Sequence, residues 1–149
     1  MLQNPHPTIE PTPSARPVSF AALTAAGLSS ALAALQVALA AGAPFGQHVW
    51  GGRSDTAALS PALRVGSIVA AAALLWMAAV ILARADLAAV NPVPPHRLAG
   101  TSWAIAAYMA VNTVANLVSA SDVERYAFGP FTAAIAVTTT IVAWRGPRG

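Results

Sequence analysis

Cysteine and lysine are both absent from this 149-residue chain, and charge of either sign is scarce, at 9% of residues. The missing cysteine rules out disulfides, thiolate metal sites and cysteine nucleophiles. All side-chain positive charge rests on eight singly placed arginines, so no basic stripe exists for phosphate backbones, and nucleic acid is not an expected partner. Lysine-free composition rich in alanine, glycine and arginine suits a bacterial source. The motifs G-x-S-x-G and H-E-x-x-H and a paired-aspartate metal site are missing too. Hydrolase and metal-dependent transferase readings therefore lack their residues, and no catalytic residue, metal ligand or cofactor is assigned.

The scarcity of charge is also patterned. Residues 17–52, 65–83, 98–121 and 126–144 form runs of 36, 19, 24 and 19 residues without one formal charge. A soluble domain usually carries about a quarter of its residues as charge. This chain is 56% hydrophobic with a mean hydropathy of +0.61. The pattern predicts an all-α, four-helix transmembrane bundle, antiparallel and up-down, multi-pass in the inner (plasma) membrane with the lipid bilayer as its solvent. Expected spans are 18–41, 61–84, 98–118 and 121–144, between a Pro-rich disordered tail at 1–17 and a short tail at 145–149.

The boundaries follow from local signals. Five prolines and few apolar residues in 1–17 cannot offset ordering entropy. The run after Arg16 is too long for a signal-peptide core, and Pro44 disfavours cleavage behind Ala41-Gly42-Ala43. Ser60 and Pro61 supply an N-cap and a first helical position for the second span. The third span is the most polar, carrying Thr101, Ser102, Tyr108, Asn112, Thr113 and Asn116. The fourth is expected to start at Ser121, where Ser121-Asp122-Val123-Glu124 matches a capping box, and to bend at Pro130. Under this reading Asp122, Glu124 and Arg125 are structural. Arg16, Arg84, Arg97, Arg145 and Arg148 flank one face against Arg53, Arg64 and Arg125 on the other, a bias that puts both termini in the cytoplasm.

Three features bear on function. Ala22, Ala26, Ser30, Ala34, Ala38 and Gly42 repeat every fourth residue, a small-residue stripe suited to close packing within the chain or against a second copy. Tyr108, Asn112 and Asn116 share one face of the third span, and the two asparagines lie in the outer membrane half together with Gln36 of the first. With His48 they make a candidate polar pocket, or else the amides act as interhelical glue. Loop 1, from Gly42 to Arg53, is glycine-rich yet apolar at Phe45, Val49 and Trp50, so it is expected to dock on the membrane surface or in the bundle mouth. Trp50, Arg53 and Asp55 are candidate loop-site residues. No acidic, arginine or histidine side chain is expected at membrane depth, which argues against a proton relay.

The loop-1 sequence Gly-Ala-Pro-Phe-Gly-Gln-His-Val-Trp-Gly-Gly-Arg, followed later by Ser-Asp-Val-Glu-Arg-Tyr and Gly129-Pro130, resembles an uncharacterised group of small four-span bacterial membrane proteins. The resemblance covers roughly residues 20–144, with Phe45 standing where that pattern suggests tryptophan. It implies the four-span fold and brings no activity. The first functional expectation is a non-enzymatic protein that acts by association, as a homo-oligomer or within a larger membrane complex. The alternative is small-molecule or lipid binding or transport through an outward-facing polar pocket, and an enzyme ranks last.

Overall fold

The computed structural model describes residues 15–52, 54 and 56–147. Four long helices account for most of them: α1 (Ala15–Ala41), α2 (Pro61–Arg84), α3 (Pro95–Leu117) and α4 (Gly129–Arg145). A single π-helical turn, Glu124–Phe128, leads into α4, and loop 1 contains two short 3₁₀ turns, Gly46–His48 and Trp50–Gly52. No strand occurs among the described residues. Arg16–Ala41, Pro61–Arg84 and Glu124–Arg145 are long and apolar enough to cross a membrane. α3 is 23 residues long but is not among them, in keeping with its amides and hydroxyls.

Three boundaries move from their expected places. Arg16 and Pro17 belong to the first turns of α1, not to the tail, because a proline near a helix start gives up an N–H that has no partner there. The rest of the expected tail, 1–14, lies outside the described residues. α3 begins at Pro95, three residues before its charge-free window, so that His96 and Arg97 complete its first turn. At the fourth helix Pro130 has no N–H for the Tyr126 carbonyl, and the Gly129 N–H reaches back to Glu124 O instead. The expected bend is thus taken up one turn earlier, as π-helix.

α1 packs along α2 and α4, and α3 packs along α4, whereas α2 and α3 touch sparsely. The main core joins Ala21, Ala22, Ala25 and Ala33 of α1 to Leu74, Val80 and Ile81 of α2 and Ile135 and Val142 of α4. Its alanines let backbones approach, which is how helices gain dispersion energy where lipid already solvates apolar groups. A smaller cluster of Leu39, Val49 and Leu59, with Phe128 packed against it, lies under loop 1. Large apolar side chains also point outward on every helix, including Phe20, Val69, Val111 and Val137. Helices apolar on both inner and outer faces suit a lipid surrounding.

Polar residues within these helices mostly satisfy themselves. The hydroxyls of Ser102, Thr113, Thr132, Thr138 and Thr140 each donate to the carbonyl four residues back, at 2.7–2.8 Å. Two arginines tie helix ends. Arg64 Nε donates to the Ala40 carbonyl at 2.6 Å, capping the C-terminus of α1 from the first turn of α2. Arg84, buried at the end of α2, donates to the Pro147 carbonyl just past α4.

Candidate functional site

Between the two core clusters lies a cavity of about 220 Å³. α1 contributes Leu32, Leu35, Gln36 and Leu39, and α2 contributes Ala70, Ala73, Leu74 and Met77. Tyr108, Asn112 and Asn116 form the α3 wall, while Phe128 of the π-helical turn and Thr132 of α4 form a further side. Val49, Trp50 and Glu124 also line it, so loop 1 bounds the space. Tyr108 is 55% exposed, and the sparse contact between α2 and α3 leaves the cavity approachable from the side.

Loop 1 is held in place by specific contacts. Gly46 N donates to Ala57 O at 2.7 Å, and a Cβ at Gly46 would come within 2.9 Å of that oxygen, so only glycine permits this approach. Trp50 adopts φ 57°, the left-handed region, followed by Gly51 at 81° and Gly52 at 66°. A non-glycine residue there carries strain of about 1–3 kcal/mol that the surroundings must hold. Here the indole Nε1 donates to Ser67 Oγ at 3.3 Å, and the ring lies over Gly66, where a Cβ would meet it at 3.2 Å.

Glu124 is the chief anchor of the loop. It is 9% exposed, and both carboxylate oxygens accept from the Gly51 N–H at 3.0 Å. Ser119 Oγ donates to Oε2 as well. The expected capping box therefore forms only in part. Ser121 Oγ stands 3.4 Å from Glu124 N, but the carboxylate turns to the loop rather than back to the Ser121 N–H, which donates to Ser119 Oγ at 3.1 Å. Ser121 Oγ itself donates to the His48 carbonyl at 2.8 Å. The neighbouring arginine is occupied elsewhere: Arg125 donates to Ser119 O at 2.6 Å, with its guanidinium 6.0 Å from the Tyr126 ring centre.

Of the five residues expected to form a polar pocket, Gln36, Tyr108, Asn112 and Asn116 line this cavity. His48 does not: its side chain is exposed, and it serves the site through its carbonyl. Trp50 lines the cavity instead of a separate loop site, and Arg53 and Asp55 lie outside the described residues. The two asparagines bond within α3, Asn116 Nδ2 donating to Asn112 Oδ1 at 2.8 Å and to its carbonyl at 3.0 Å, rather than across helices as glue. Gln36 Oε1 is buried and has no hydrogen-bond partner among the described residues. A carbonyl left so costs about 1–3 kcal/mol.

Sequence reasoning missed Glu124 as a cavity residue. The available signal was spacing: Glu124, Phe128 and Thr132 recur every fourth residue and so head one face of the last helix, as Tyr108, Asn112 and Asn116 do on α3. The site as a whole is an apolar, aromatic-edged chamber lined, among the described residues, by one carboxylate and a few amides. No family model matches the chain, and no curated protein or solved structure matches it.

Proposed function

We propose that this protein is a four-span, antiparallel integral membrane protein that binds a small, largely apolar molecule in the chamber beneath loop 1, admitted from the bilayer between α2 and α3. The observation that carries this reading is the cavity itself, apolar over most of its wall yet edged by Gln36, Asn112, Asn116 and Glu124. Ligand sites have this composition: apolar area supplies affinity and a few convergent polar groups fix orientation. Support for the antiparallel order comes from Arg64, at the start of α2, meeting the end of α1, and from Arg84 and Pro147 meeting beyond the ends of α2 and α4. α3 enters as a fourth span because its hydroxyls and amides bond to their own helix and it packs along α4. Five flanking arginines against three favour cytoplasmic termini in a bacterial inner membrane.

Binding of the neutral hydrocarbon neopentylbenzene to the protein in lipid nanodiscs tests this. At a hundredfold excess over Kd it should add about 2.7 kcal/mol to stability, read as a rise in Tm. Ala70→Phe, which puts a ring into the chamber, should abolish the rise. An unchanged rise in that variant would place the ligand elsewhere and defeat the proposal.

A further inference from the structure

We propose that the chamber selects a monovalent organic cation with a compact apolar body, held by Glu124 as counter-charge. The inference rests on the cavity reading above and specifies its ligand class. Among the described residues that line the cavity, Glu124 is the one with a formal charge, a carboxylate. An anion there would meet a carboxylate in a water-poor space, where like charges repel strongly. Arg125, its chain neighbour, directs its guanidinium to the Ser119 carbonyl rather than to the carboxylate. Among the described residues, Glu124 is satisfied by the Gly51 N–H and the Ser119 hydroxyl, which solvate its charge without cancelling it. A buried carboxylate in that condition favours a cation beside it.

Two further observations point the same way. Gln36 Oε1, buried and without a partner, offers its carbonyl dipole in the same cavity. Trp50, Tyr108 and Phe128 supply aromatic rings to the wall, and ring faces attract ammonium groups, best when the cation is already desolvated. Carboxylate, carbonyl and aromatic rings around one small chamber match a quaternary or alkyl ammonium.

The test compares benzyltrimethylammonium with neopentylbenzene, the same shape with carbon in place of nitrogen, on the full chain in nanodiscs. Because the hydrocarbon partitions into lipid more readily, each probe is judged by its affinity in wild type relative to variant. In Glu124→Gln, benzyltrimethylammonium should lose about tenfold or more in affinity beyond any loss that neopentylbenzene shows. Should that variant fail to fold, Gln36→Leu serves, since it removes the amide that carries the unbonded carbonyl and leaves Glu124 in place. There the cation should lose several-fold and the hydrocarbon nothing. Protection of the wild type by neopentylbenzene alone, or equal losses for both probes, would overturn the cation assignment and leave the cavity reading intact. Protection by neither probe would overturn both.

Discussion

The two ends of the molecule are built on different principles. Around the ends of α2 and α4 the packing uses small residues: Ala21, Ala22 and Ala25 cluster with Val80, Ile81 and Val142, and Arg84 ties the end of α2 to the segment past α4. Around loop 1 a chamber opens beside the sparse contact of α2 with α3, and hydrogen bonds to a buried carboxylate hold the loop over it. Close packing of small residues brings the helix backbones together at the one end. At the other a hydrogen-bonded loop covers a chamber, and strain at Trp50 is concentrated where that loop meets the cavity.

If the open end depends on Glu124, removing it should show the largest effect. Glu124→Ala strands the Gly51 N–H and the Ser119 hydroxyl, at a cost of about 2–4 kcal/mol. Unfolding in denaturing detergent measures this, and Trp50 fluorescence should report release of the loop while the opposite end keeps its protection against hydrogen exchange. A loss under about 1 kcal/mol would mean that apolar packing around Leu39, Val49 and Leu59 holds the loop instead. Gly46→Ala should cost about 1–3 kcal/mol, because its Cβ would meet the backbone of Thr56, Ala57 and Ala58, none of which is a flexible side-chain end. Arg64→Met should cost less, about 1 kcal/mol, by uncapping α1. Tm shifts in that order would establish that backbone closure and the carboxylate, more than the helix cap, maintain the open end.

This division explains what could be read in the sequence. The ends of α2 are written locally, in Pro61 at its first position and Arg84 in its last turn, and the helix occupies Pro61–Arg84, although Ser60 sits at the cap position without a side-chain capping bond. The fourfold spacing of Tyr108, Asn112 and Asn116 likewise puts them on one face whatever the tertiary fold, and that face lines the chamber. Whether the two amides bond across helices or along one is not a property of spacing, and here they bond along α3. Glu124 was legible as a helix-start residue, yet its partner Gly51 is 73 residues away, and a local capping motif conceals such a pairing. His48 faces outward for the same kind of reason: the short turn at Gly46–His48 commits its carbonyl, not its ring, to the site.

The small-residue stripe of α1 crosses both regions and gives the finest test of their difference. Ala22 and Ala26 are buried, at 0% and 7% exposure, whereas Ser30, Ala34 and Ala38 are exposed. The buried half is used within the chain, so Ala22→Leu should overpack the closed end by about 1–3 kcal/mol. Ala34→Leu should change stability by no more than about 0.5 kcal/mol, because nothing in the protomer is displaced. If association is the protein's mode of action and uses this face, the same substitution should dissociate the oligomer in crosslinking from native membranes, since a leucine there keeps backbones apart. Crosslinking that is unaffected by Ala34→Leu would remove the exposed half of the stripe as an interface. A stability loss at Ala34 comparable to that at Ala22 would instead mean that α1 is packed alike along its length, which would erase the distinction between the two ends.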